Sequence, residues 1–145
     1  MSAITAASVI FLPPLILALV ALSLWKTGRG LAARGWERPG WWVFPAVVLA
    51  SAGCVTWYIG VFSGGFDPEE TCRERGVRYD NAYRTEHARE PSQWFPLRNK
   101  CHAGHDLVPA FVNPTLVAVA VLLPGCAAGA AAAHATVRKK HATQH

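Results

Sequence analysis

Apolar and polar positions do not mix evenly along this 145-residue chain; they fall in long blocks. Residues 1–25, 39–66 and 107–137 contain no Lys, Arg, Asp or Glu. A helix needs roughly 20 apolar residues to cross a hydrocarbon layer about 30 Å thick. Three stretches meet that length: Ile4 to Trp25, Trp41 to Phe62, and Asn113-Pro114 to about Ala135. Asn113 is the predicted cap of the third helix, and Pro114 suits a first helical position, where a missing N–H costs nothing. The uncharged stretch 107–112 reads as its approach to the bilayer surface. The predicted fold is therefore an all-α membrane protein. It is a three-span transmembrane helical bundle with a small disulfide-closed cap of helix and loop. The predicted divisions are helix 1 over 1–25, a basic loop over 26–40, helix 2 over 41–63, the cap over 64–113, helix 3 over 114–136, and a basic tail over 137–145.

Composition narrows the classes. Apolar residues make up 52% of the chain and charged residues 16%, against about 25% charged in soluble domains. This excludes a disordered chain, a collagen-like chain and an ordinary soluble enzyme. The wealth of Ala, Gly, Val and Arg beside only four Lys resembles the usage of high-GC bacteria. The expected location is the bacterial plasma membrane.

Charge sets the expected threading. Lys26, Arg29, Arg34 and Arg38 face one acid, Glu37, in 26–40. Arg138, Lys139 and Lys140 have no acid beside them in the tail. Residues 64–113 hold seven basic and eight acidic residues, so the three segments carry +3, −1 and +3 and account for the formal +5. Short loops rich in Lys and Arg stay cytoplasmic. The N-terminus and the cap are thus expected outside, and the basic loop and C-terminus in the cytoplasm. The basic groups serve topology and contact with anionic lipid, not nucleic acid. A cleaved signal peptide would open with positive charge, whereas here the positive charge follows the first apolar run. Trp25, Trp36, Trp41 and Trp42 gather at one predicted boundary and Trp57, Tyr58, Phe62 and Phe66 near the other, as interfacial belts do.

The spans carry no Asp, Glu, Lys or Arg, and His134 lies near an end. Pumps, proton-coupled transporters and charged-filter channels place ionisable groups inside the membrane, so these classes are disfavoured. The spans do carry small residues that suit helix packing: Gly125 and Gly129 as a GxxxG step, and Ala46, Ala50 and Gly53. Pro13-Pro14 and Pro124-Gly125 are predicted kinks. Cys54 and Cys126, at similar predicted depths, read as inert buried thiols.

The segment 64–113 is too long for a mere connector. Asp67-Pro68-Glu69-Glu70 reads as a helix start, and Gly76 as its end. Asp80 caps a second predicted helix reaching about Arg89, with loop from Pro91 to Asp106. Within it Glu86 with Arg89, like Glu70 with Arg73, suits a surface pair, and the run from Arg84 to Arg89 reads as a solvated helix face. Cys72 and Cys101 are the two cysteines outside the spans, and an oxidising compartment would pair them.

Cys101-His102-Ala103-Gly104-His105-Asp106 offers four ligand types in six residues, and His87 and Glu90 are three apart on a predicted helix. With Cys101 paired, His102, His105, Asp106 and His87 form the candidate zinc or copper set. The c-type haem order and the paired C-x-x-C zinc order are both missing. No resident cofactor is expected on the leading reading. The carboxylates and Ser63 and Ser92 lack a nucleophile-turn or phosphate-cradle context, which speaks against an enzyme. Tyr83, Trp94, Phe95 and Phe111, within three aromatic or apolar clusters, are the candidate partner-contact residues. The leading expectation is a non-catalytic accessory or assembly protein presenting its cap to a membrane or envelope protein, or to a second copy of itself. The alternatives are an outward-facing metal or thiol factor and an immunity-type membrane protein.

Overall fold

A computed structural model describes residues 3–142, with the side chains of 14–140, and the chain in it is mostly helical. The elements in order are α1 (Ala3–Ala32), α2 (Val43–Val61), α3 (Pro68–Glu74), α4 (Asn81–Glu86), strands β1 (Lys100–His102) and β2 (His105–Asp106), and α5 (Val112–Ala142). Three helical stretches are long and apolar enough to cross a membrane: Pro14–Ala32, Pro39–Val61 and Val112–Lys140. Over an apolar 18-residue window in each, only 6%, 17% and 11% of the residues are buried. Leu15, Leu17 and Val121 are each about two-thirds or more exposed. Water would not tolerate so much apolar surface; lipid would. Residues 1–2 and 143–145, and the side chain of Pro13 in the expected kink, lie outside the described residues.

The helix ends differ from expectation. α1 continues past Trp25 to Ala32, because nothing in Lys26–Leu31 beyond two glycines breaks it and Arg29 in the last turn complements the helix dipole. It stops where Arg34 takes a left-handed φ of 53°. A 3-10 turn at Pro39–Trp42 leads into α2. α5 begins at Val112, one residue before the expected cap, and runs to Ala142 through an alanine-rich stretch of high helix propensity. The fold is also not purely helical. The expected loop 91–106 contains the antiparallel β1–β2 ladder, with Lys100 opposite Asp106 and His102 opposite His105.

The chain divides into two compact units, Met1–Ser51 with Val121–His145, and Ala52–Ala120. In the first, the two glycines of the GxxxG step have different surroundings within the chain. A Cβ at Gly129 would come within 2.6 Å of the Trp42 ring, whereas a Cβ at Gly125 would meet nothing within 4 Å. Gly129 is small because an indole lies against it. Trp42 is held in place as its Nε1 donates to Trp36 O at 3.1 Å. Cys126 is buried. Ala46 is partly buried and Ala50 exposed.

The second unit contains two small cores. Cys72, Cys101 and Leu107 form one, flanked by Val77 and Tyr79. Leu97, Val108 and Val112 form the other, flanked by Trp57 and Leu116. Gly60 of α2 admits the second core: a Cβ there would lie 2.6 Å from Leu97 Cδ1 and 2.8 Å from Val112 Cγ1. Gly53 lies against Val119, its Cβ position 3.0 Å from Cγ1. Cys54 lies on a face of α2 that meets no protein.

Candidate functional site

The 62–111 segment is built from its caps and its crosslink. Asp67 accepts from the N–H groups of Glu69 and Glu70, and Pro68 occupies the first turn of α3. The helix ends at Glu74, and just beyond its cap Gly76 takes a φ of 68°, which a side chain would resist. Asp80 caps α4 by accepting from Tyr83 N at 3.0 Å. Cys72 of α3 and Cys101 of β1 are joined by a disulfide, with Cα atoms 5.9 Å apart and neither residue exposed. The backbone seconds this link, as Asp80 N donates to Cys101 O at 2.9 Å.

Arg84 corrects the expected solvated helix face. Its guanidinium donates to Lys100 O at 2.8 Å and Asn99 Oδ1 at 3.0 Å, tying α4 to β1, and it lies over the Tyr79 ring. Glu70 and Arg73 do form a surface pair, at 3.9 Å. α4 ends at Glu86, so His87 and Glu90 do not share one helix as expected; a turn separates them. Glu90 instead approaches Arg98 at 3.7 Å and Lys100 at 3.8 Å. Lys100 Nζ donates to Tyr83 Oη at 3.2 Å. That bond, and then the Glu90 carboxylate, hold the ammonium above its ordinary pKa against the opposing effect of desolvation. Tyr83, Arg84, His87, Glu90 and Lys100 line an open polar cavity of about 360 Å³.

The expected metal ligands have different surroundings. Asp106 Oδ1 accepts from Asn99 N at 2.9 Å and Val108 N at 3.0 Å, which fixes the hairpin base. His102 Nδ1 accepts from Gly104 N at 3.1 Å. The His102 and His105 ring centroids are 6.3 Å apart, and His105 Nε2 is buried with no hydrogen-bond partner. His87 stacks on Tyr83 at 4.2 Å with Nδ1 3.0 Å from Tyr83 O. Among the described residues, no three His, Cys, Asp or Glu side chains converge as a metal site.

The aromatic clusters divide between core and surface. Tyr79, Leu97, Leu107 and Val108 turn inward. Trp94, 81% exposed, and Phe95 and Phe111, each about half exposed, turn outward. Trp94 is held from one side only, stacked on Trp57 with centroids 5.9 Å apart and planes 22° apart. The Phe95–Pro96 peptide is cis. Tyr83 is partly buried and engaged by His87 and Lys100. The feature that sequence reasoning missed is Asn113. It does not cap α5. Its side chain accepts from Leu97 N at 2.9 Å and donates to Leu97 O at 3.0 Å, pinning the Trp94–Leu97 loop to the start of α5.

No protein-family model, no curated protein and no solved structure matches this chain.

Proposed function

We propose that this chain is a small integral membrane accessory protein of the bacterial plasma membrane, which presents residues 62–111 outside the cytoplasm to a membrane or envelope protein and catalyses no reaction. The observation that carries this reading is a crosslinked segment, its Trp94–Leu97 loop tied to α5 by Asn113, that holds Trp94 and Phe95 outward. Large aromatic side chains exposed on a fixed backbone suit a binding surface, since little side-chain freedom is lost on docking. The division of charge, with Lys26 to Arg38 and Arg138 to Lys140 on the cytoplasmic side, supports the orientation.

The test is photocrosslinking in native membranes from a reporter at position 94. One stoichiometric partner is expected, retained through mild detergent. Trp94→Ala with Phe95→Ala should weaken its capture by about tenfold or more while leaving the Cys72–Cys101 bond intact. Undiminished capture by the double variant overturns the reading. Bound zinc or copper in protein purified without metal resin, abolished by His105→Ala, would instead favour a metal factor.

A further inference from the structure

The loop joining α1 to α2 borders a second open cavity, of about 540 Å³, away from the Trp94 surface in sequence and chemistry. Its walls include Trp25, Lys26, Arg29, Arg38, Trp41 and Phe44. Three cations therefore line one cavity, and no carboxylate does. Among the described residues, no ion pair neutralises any of the three. Aromatic rings hold two of them instead. Lys26 Nζ lies 5.2 Å from the Phe44 ring centroid, and the Arg29 guanidinium 4.9 Å from that of Trp25. Such contacts position a cation without cancelling its charge.

Trp41 ties the two ends of the cavity together. Trp41 Nε1 donates to Lys26 O at 3.4 Å, and its indole packs where a Cβ on Gly30 would collide with it. Glycine at position 30 is what lets the start of α2 close against the end of α1. The cavity lies where two stretches capable of crossing a membrane meet the basic loop, and its walls interleave aromatic rings with cations. Guanidinium groups match phosphate oxygens in pairs, and basic pockets between transmembrane helices take anionic headgroups.

We infer that the cavity between α1 and α2 binds the phosphate of an anionic lipid headgroup, held by Lys26, Arg29 and Arg38, with the acyl chains lying beside Trp25 and Phe44. Diffuse attraction of the whole basic loop to a membrane surface would not distinguish these cations from Arg34, which carries the same charge but does not line the cavity.

Full-length protein in nonionic detergent is titrated with phosphatidylglycerol, phosphatidylcholine and inorganic phosphate, and bound ligand is counted by native mass spectrometry. One phosphatidylglycerol is expected per chain. The combined Lys26→Gln, Arg29→Gln, Arg38→Gln variant should weaken it by about a hundredfold. Arg34→Gln should leave it unchanged. Equal losses in Arg29→Gln and Arg34→Gln, or equal binding of phosphatidylcholine, overturn the inference. Displacement by inorganic phosphate at the lipid's own concentration keeps the phosphate chemistry and overturns the lipid as its source. A photoactivatable phosphatidylglycerol tests the unsubstituted protein independently: labels within residues 25–44 support the site, and labels confined to Arg138–Lys140 overturn it.

Discussion

Removing the Cys72–Cys101 disulfide by the double substitution Cys72→Ala, Cys101→Ala is expected to lower the stability of the 62–111 segment by about 3–4 kcal/mol. The bond closes a loop of sequence separation 29, and most of that figure is the conformational freedom it denies to the unfolded segment. The segment has little to set against such a loss. The core around the bond contains Leu107 as its one fully buried large side chain, with Val77 and Tyr79 only partly covered. Cores this small rarely hold a fold without a crosslink. Alanine avoids burying two hydroxyl groups, so the measured change reports mainly the bond and the space left by sulfur. Hydrogen exchange is the direct reading. Amides from Cys72 to Leu107 should lose protection together, while those in the middle of α2 and α5 keep theirs. Unchanged protection in the double variant would show that the two small cores suffice alone.

The second large effect is expected at Asn113. Asn113→Ala strips both partners from the backbone of Leu97, a residue only 4% exposed. Leaving a buried donor and a buried acceptor unmade costs about 1–3 kcal/mol each, so a total of about 2–6 kcal/mol is expected for the pair. Asn113→Asp keeps the acceptor for Leu97 N–H and loses the donor to Leu97 O, so its cost should be intermediate. The site of damage separates this role from helix capping. If Asn113 pins the loop, the Leu97 amide exchanges faster and Trp94 loses its fixed stacking on Trp57. If it only capped α5, the first-turn amides of α5 would exchange faster and Leu97 would not.

What the sequence made legible follows from which forces are local. The spans were readable because twenty apolar residues in a row leave few alternatives. Asp67 and Asp80 as caps, and Gly76 as a stop, were readable because each acts within one turn of itself. The cysteine pairing rested on compartment and count, and the structure contains that bond. Asn113 was misread for the same reason that made Asp67 easy: a polar side chain before an apolar helix looks like a cap until a distant backbone claims it. The β1–β2 hairpin was missed because three residues facing two across Ala103-Gly104 show almost no alternation. Arg84 was assigned to solvent because neighbouring charges of both signs suggest an exposed face; only the tertiary position of β1 turns it inward. Spacing likewise collects His102, His105, Asp106 and His87 into one candidate ligand set; in the fold Asp106 accepts from two backbone amides, His87 stacks on Tyr83, and no three such side chains converge among the described residues. The cation cavity was half legible. Its residues were visible as a basic loop beside tryptophans, but the role of Gly30 in closing it needed the fold.

Exposure of the crosslinked segment on the far side of the membrane from the basic loop is tested most directly by impermeant maleimide labelling of intact cells. Cys54 and Cys126 are first replaced by Ala, and one reporter is introduced at a time, as Thr85→Cys or Arg34→Cys. The expected result is labelling of the Thr85→Cys protein in intact cells, and of the Arg34→Cys protein only after lysis. Labelling of Arg34→Cys in intact cells, with Thr85→Cys protected until lysis, would contradict the proposed orientation and with it the proposed presentation of Trp94 and Phe95.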